Sequence, residues 1–314
     1  MRQISAEELV PLTRRNDAVA ATLLGVRAVF HVGLGALGYR ALAGGQIVLG
    51  ILLLIPHFTA YSFLGWAGVG HELFHNSVFS SRWLNQFLFR LFSILTWNNY
   101  FYFQVSHPHH HRLALAPNDP EGTRPARMSW LTLFQLLTID VSSLYRRVRV
   151  LAMNALGGVP NAGISGALFP PDSQARSRLC AAARVVVGTH LALVALFAVT
   201  GTWWLILIVT LAPFCLTFFN RTLAAAQHFG LADAGRDYAQ SCRTVLLDPV
   251  SAFFYADMNY HAEHHYYPAV PHYNLVRLHR LLASRIELPN LTRGYVGALR
   301  ELARHGLFPA ARRP

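Results

Sequence analysis

The chain has 314 residues, 53% of them hydrophobic and only 13% charged, with a mean hydropathy of +0.31. An ordinary soluble domain carries about twice that share of charge, so the composition argues against a soluble enzyme and for a protein built into lipid. The formal charge of +12 comes wholly from arginine, but the arginines flank apolar stretches and no binding motif accompanies them, which argues against nucleic acid as a partner.

Two readings of the arginines remain, a face toward anionic headgroups or a GC-rich genome that favours arginine codons. The N-terminal stretch MRQISAEELVPLTRRND is polar and acidic with no short apolar core, so no cleaved signal peptide is expected. A helix that crosses a bilayer needs about 20 mostly apolar residues. Four stretches meet or approach that length, 19–42, 46–70, 185–200 and 203–219. The joints AGG at 43–45 and GT at 201–202 are so short that the four pair into two helical hairpins. Arg27 and His31 interrupt the first span, and Arg27 must snorkel, pair or mark a tilted helix. Pro56 predicts a kink in the second.

WLNQFLFRLFSILTW at 83–97 and SWLTLFQLLTIDVSSLYRRVRV at 129–150 read as helices lying at the membrane interface, with one of them re-entrant as the alternative. LFPPDSQARSR at 168–178 reads as a surface loop. Arg2, Arg14 and Arg15 precede the first span, Arg146, Arg147 and Arg149 sit together in the middle, and more arginines follow 220; Arg40 alone lies near a short turn. That bias places both termini and the segment 71–184 in the cytoplasm. Cys180, Cys215 and Cys242 form no CxxC and read as packing residues. The fold class is therefore all-α, one integral membrane domain over 1–314 with four transmembrane helices in two hairpins, interfacial helices and a cytoplasmic, histidine-rich cap.

The histidines fall in three clusters at the span ends. HELFHN puts His71 and His75 at positions i and i+4, on one face of a helix. HPHHH supplies His107, His110 and His111, with His109 between them. NYHAEHH supplies His261, His264 and His265. One HxxxH is often structural, and a histidine run can be a solvated loop. Three clusters on one side of the membrane point instead to metal, for which neutral imidazole is the commonest side-chain ligand. Eight rings exceed the four or six ligands of one ion and suit two ions in one pocket. A closed zinc site often uses Cys, absent here; a paired, nitrogen-rich, partly open site suits redox iron and O2. Glu72, Glu263, Asn76, Asn259 and Asp257 are near enough to orient the rings, or are exposed neighbours. His31, His57 and His190 read as hydrogen-bonded core, His272 and His279 as supports of the third cluster or surface groups, and His305 as solvated.

HELFHN, HPHHH and NYHAEHHYYP resemble the three histidine boxes, HxxxH, HxxHH and HxxHH, of the membrane fatty acid desaturase superfamily. The Asn that trails the first box is most similar to the sphingolipid-desaturase-like and bacterial acyl-lipid branches. The resemblance implies a non-haem di-iron centre held by His71, His75, His107, His110, His111, His261, His264 and His265, with O2 as cosubstrate. It also implies a ligand just after the last span, where RTLAAAQHFGL places His228. The Asn that some stearoyl-type relatives carry four residues earlier is Ala224 here, so it is not carried over, and His109 falls at a variable box position.

The implied activity is O2-dependent insertion of a double bond into a fatty acyl chain of a lipid, in a bacterial inner membrane. Oxygen rebound after the first hydrogen abstraction gives an alcohol instead, so a hydroxylase or oxygenase of a lipid, carotenoid or specialised metabolite is the alternative. The chain shows no fused cytochrome b5 and no ferredoxin-like Cys set, so electrons are expected from a separate ferredoxin or cytochrome b5 type donor, docked on the Arg-rich face unless that face serves lipid. The stretches 58–66 and 98–105 are expected to line an apolar substrate tunnel. A reading from another class, metal transport or sensing, would be favoured by histidines buried midway through spans; the dense clusters here sit at the span ends.

Overall fold

The computed structural model describes residues 4–122, 127–160, 163–235 and 237–309, with Arg2 outside them. Helix α1 (Ala6–Thr13) starts at Ser5, whose hydroxyl accepts from the Glu8 amide while the Glu8 carboxylate accepts from the Ser5 amide. Helix α2 (Asp17–Ala43), capped by Asn16, turns back through Gly44 and Gly45 into α3 (Ile47–Tyr61). The two approach closely where Gly38 meets Leu54; a Cβ on Gly38 would stand 2.6 Å from the leucine side chain. Arg27 does not snorkel. It is buried, donates to the carbonyls of Leu23 and Phe253, and lies 4.1 Å over the Phe253 ring.

Helix α3 runs on through Pro56, where a kink was expected. The departure from α geometry comes after Tyr61, through a 3-10 turn at Ser62–Leu64, and the chain resumes as α4 (Val69–Phe74). Gly68 allows that break, since a Cβ there would stand 2.2 Å from the Phe63 carbonyl oxygen. Helices α5 (Arg82–Leu95) and α6 (Tyr100–Leu113) begin at side-chain caps, Ser81 and Asn99.

Residues 129–150 form two helices rather than one, α7 (Trp130–Leu137) and α8 (Val141–Ala155). Between them the chain is extended and bonds to a distant segment: the Asp140 amide donates to Phe214 O at 2.7 Å, and the Leu216 amide to Thr138 O at 2.8 Å. A short helix α9 (Ile164–Leu168) precedes α10 (Gln174–Val199), capped by Ser173, so helix begins inside the stretch 168–178 that read as loop. The same extended pairing breaks the expected fourth span. Residues 203–219 hold a π-helical turn at Ile206–Thr210 and a 3-10 turn at Ala212–Phe214, and α11 (Phe218–Ala226) starts only afterwards. Pro213 lacks an amide hydrogen, Leu216 sits at φ 51°, and the bonds to residues 138–140 take groups that a continuous helix needs.

The C-terminal part is α12 (Tyr238–Ser241), β1 (Thr244–Leu246), α13 (Pro249–Phe254), α14 (His261–Tyr266), α15 (Leu275–Ala283), β2 (Leu291–Arg293) and α16 (Gly294–Arg304). The two strands pair in parallel, from Thr244 opposite Leu291 to Leu246 opposite Arg293, a small departure from an otherwise helical fold.

Among the described residues three helical stretches are long and apolar enough to cross a membrane: Asp17–Ala43, Ile47–Phe74 and Gln174–Val199. Val29, Val32, Val48, Leu52 and Leu191 stand exposed on them, a distribution that suits lipid and not water. Inside, Leu54, Phe58, Leu73, Phe89 and Phe103 form a buried cluster beneath α4 and α6, the helices that carry the first two histidine boxes.

Candidate metal centre

All nine histidines nominated above converge, in two groups. Ring nitrogens of His71, His75, His107, His111 and His264 lie within 4.8 Å of one another, and so do those of His110, His228, His261 and His265. Helix geometry explains the sorting. His71 lies in α4 and His75 follows its end, one turn apart. In α6 the i, i+4 pair His107 and His111 turns to the first group, and His110 to the second. In α14 the pair His261 and His265 turns to the second group and His264 to the first. His228 joins from just beyond α11. The groups meet where the rings of His111 and His265 stack, centroids 4.3 Å apart.

Hydrogen bonds at Nδ1 orient four of the nine rings. His71 Nδ1–H donates to Trp66 O at 3.0 Å and His228 Nδ1–H to Ser241 O at 2.9 Å. Carbonyls only accept, so in the neutral rings Nε2 is left with a lone pair. His107 Nδ1–H donates to Glu121 Oε2 at 3.0 Å, with the same result, and His110 Nδ1–H donates to Asp119 Oδ2 at 2.9 Å. Those Nε2 atoms point inward. His107 Nε2 is 3.0 Å from that of His71, 3.0 Å from that of His111 and 3.1 Å from that of His75. His71 Nε2 is 3.0 Å from His264 Nε2. In the second group His261 Nε2 is 2.9 Å from His228 Nε2 and 3.1 Å from His265 Nε2.

Where both rings are fixed in this way, as in His71 and His107, the facing lone pairs have no proton between them and repel, whereas a cation placed there is attracted to both. The residues therefore fit metal, and they fit two ions, one for each group. Burial pushes His264 and His228 down to about 3, so both are neutral and ready to ligate. Burial also works against the charge on His110, but the Asp119 hydrogen bond and the charges of Glu121 and Asp119 outweigh it and raise His110 above the ordinary value. Glu121 is itself pushed up to about 7 by burial.

Of the five polar neighbours nominated from the sequence, one reaches a histidine of the two groups: Glu72 Oε1 lies 3.0 Å from His264 Nδ1, without the alignment of a hydrogen bond. Glu263 accepts from His279 Nδ1 at 2.5 Å and from the Thr244 hydroxyl at 2.6 Å, and Asp257 accepts from His272 Nδ1 at 3.2 Å. Asn76 bonds to Gln86 and Asn259 to the Val245 carbonyl. His109 donates to Val105 O and stays outside both groups. His31 and His57 contact one another inside the helical bundle, and His190 stacks on Trp97 at 3.9 Å. His305 is exposed.

Asp119 and Glu121, which the sequence reading missed, hold two of the nine rings. A signal was present: PNDPEG begins six residues after the second box ends and puts two acids in a chain that has only 15. Asp119 also accepts from the Leu115 and Glu121 amides, which folds this turn back onto α6.

A cavity of about 360 Å³ opens onto His71, His107, His110 and His261, and includes Ser62, Trp66, Asn98 and Phe103 from the two stretches expected to line a tunnel. Its wall is more polar than expected, because Asn220, Arg147 and Arg221 also line it. A separate apolar cavity of about 530 Å³ lies between α2 and α3, beside His31 and Tyr61.

The fatty acid desaturase family model matches residues 45–296, a range that encloses every histidine of the two groups. The chain is also 25% identical over 271 residues to the sn-1 oleoyl-lipid 12-desaturase of Anabaena variabilis, an alignment that covers 83% of this chain and 75% of that protein.

Proposed function

Since the chain belongs to the fatty acid desaturase family, we propose that it is an integral-membrane, non-haem di-iron enzyme that uses O2 and external electrons to place a double bond in a fatty acyl chain of a lipid. The observation that carries this reading is the pair of adjacent histidine groups with their ring nitrogens turned toward one another. His71, His75, His107, His111 and His264 would hold one iron, and His110, His228, His261 and His265 the other. Bound there, the two ions supply the redox chemistry with O2 that removes hydrogen from an unactivated methylene.

The protein's own contribution is positional. Trp66 O, Ser241 O, Asp119 and Glu121 hold the Nδ1 protons of His71, His228, His110 and His107, which turns the Nε2 atoms of those four rings to the centre as the ligating nitrogens. Phe103 stacks on His107 at 4.3 Å and on Trp66 at 4.6 Å, which braces the His107 ring where the cavity meets the first group. Nitrogen donors alone fill both groups, and the three cysteines are buried elsewhere, which favours iron over closed zinc.

In the proposed placement the chain is one membrane domain with four crossings in two hairpins, and the broken stretch 203–219 is the fourth. Irregular backbone at that depth is tolerated where protein surrounds it, and Ile208, Ala212 and Phe214 are buried. The exposed Trp83, Trp130 and Tyr145 of α5, α7 and α8 suit the headgroup level of the inner leaflet. The arginine bias puts the termini and the centre on the cytoplasmic side of a bacterial inner membrane, with a separate ferredoxin or cytochrome b5 type donor.

A second reading, hydroxylation or oxygenation of a lipid or other metabolite at the same centre, is favoured by the polar wall of the cavity at His71 and His107. Mass spectrometry of lipids from an expressing host separates the two. Loss of two hydrogens at a fixed chain position supports desaturation, and gain of one oxygen supports hydroxylation. Absence of either product with iron-loaded protein and a working donor counts against both.

A further inference from the structure

The arginines of α8 take on a purpose once α11 is packed beside them. The Nη2 atoms of Arg146 and Arg221 both donate to one hydroxyl, Ser143 Oγ, at 2.8 and 3.0 Å. Asp140 is the one carboxylate within ion-pair distance of them among the described residues. It lies 3.9 Å from Arg221 Nη2, and its other oxygen is engaged by the Ser143 amide at 2.9 Å. Arg147 has no carboxylate partner among the described residues and lies over Trp66, 5.8 Å from the ring centroid. Trp66 stacks on Phe103 at 4.6 Å, and Phe103 on His107 at 4.3 Å. Of the three guanidinium groups one pairs with a carboxylate, Arg221 with Asp140, and Arg147 lies three ring contacts from the first histidine group.

They also line space. Arg147 and Arg221 line the cavity of about 360 Å³ at His71 and His107. Arg146, Arg221 and Ser143 line a second cavity of about 430 Å³, which reaches His110 and His228. Arg221 belongs to both. Burial, with Arg221 and Arg146 close by, pulls Arg147 down to about 10, so it stays cationic at neutral pH. Across the two cavities three guanidinium groups face two carboxylates, Asp140 and Glu121, and with the Ser143 hydroxyl among them they match the several acceptor oxygens of a phosphoryl group. Recesses of this size suit a headgroup and not the broad face of a protein donor.

We propose that Arg146, Arg147 and Arg221, with Ser143, recognise a phosphoryl headgroup of the lipid substrate and set which part of it faces the histidine groups. This rests on the reading of the centre as a lipid oxidase and names the class of lipid, a phosphate-bearing one.

The test is equilibrium binding to the full-length protein in detergent, read by tryptophan fluorescence and native mass spectrometry. The probes are dioleoyl phosphatidic acid, dioleoylglycerol and inorganic phosphate. The wild type is expected to bind the phosphatidic acid roughly tenfold or more tighter than the diacylglycerol, and inorganic phosphate far more weakly than either. The double variant Arg147→Gln/Arg221→Gln should lose that preference. Arg149→Gln, on the same helix but lining neither cavity, should keep it. Where the double variant is not monodisperse, Ser143→Ala gives the same readout and should weaken the preference.

Equal binding of the two lipids by the wild type overturns the proposal. So does an equal loss with Arg149→Gln, an unchanged preference in Ser143→Ala, or free phosphate binding as tightly as the lipid. Binding requires neither iron nor turnover. A preparation that discriminates the lipids yet binds no iron upholds this site and counts against the di-iron reading alone.

Discussion

His71 and His107 hold their Nε2 atoms 3.0 Å apart while their opposite nitrogens are tied to Trp66 O and to Glu121. Neither neutral ring has a proton to offer the other, so the contact is repulsive until a cation enters. Metal-free protein is therefore expected to be markedly less stable than iron-loaded protein. A ligand at a hundred times its Kd adds about 2.7 kcal/mol to folding stability. Chelation followed by re-addition of ferrous iron, with the melting temperature followed in detergent, should show a fall and a recovery. An unchanged melting temperature speaks against metal at these rings.

Asp119 and Glu121 should matter to metal affinity although neither is a ligand in this account. Removing such a partner typically weakens metal binding by about 10- to 100-fold. Glu121→Ala frees the ring of His107, and Asp119→Ala frees that of His110 and two amides of the turn. Iron titration of the two variants should show weakened binding in both, with the larger loss of thermal stability in Asp119→Ala. Wild-type affinity in both would remove these residues from the site.

The metal-free protein should also weaken on acidification. His228 and His264 sit at about 3 in the fold against 6.5 when unfolded, because burial opposes their charge. Their stabilising contribution is complete above pH 6.5 and declines as pH falls toward 3, since the unfolded chain takes up protons that the folded one refuses. Each group contributes a slope of up to about 1.4 kcal/mol per pH unit in that window. Melting curves of chelated protein from pH 7.5 to 5.0 test this, and a flat profile contradicts it.

Gly38→Val should drive α2 away from α3. Its Cβ would stand 2.6 Å from Leu54, and overpacking of this kind costs roughly 1–3 kcal/mol. Gly25, with open space around it, is the control. Thermal melts of Gly38→Val and Gly25→Ala should differ clearly; equal melting temperatures would show that the helices separate at no cost.

Much of the centre was legible because histidine spacing on a helix already encodes direction. An HxxHH run puts its first and last rings on one face and the middle one on the next, and α6 and α14 divide their rings in that way between the groups. The spans were legible because lipid demands long apolar helices. The fourth stretch was not, since its composition is the same whether its backbone is helical or bonded to residues 138–140, a partner far away in the chain. Local residue choice likewise did not reveal that Asp119 would reach back to His110, or that Arg221 would meet Arg146 at Ser143. Contacts of that kind become visible only when separate helices are assembled.

The most direct measurement is iron content per chain in pure wild-type protein alongside His71→Ala and His261→Ala, each of which strikes a different histidine group. Two irons per wild-type chain, fewer in each variant, and no oxidised lipid from either variant are expected. A wild type that carries one ion, zinc or no metal while still oxidising lipid, or variants that keep full iron and full activity, would contradict the account.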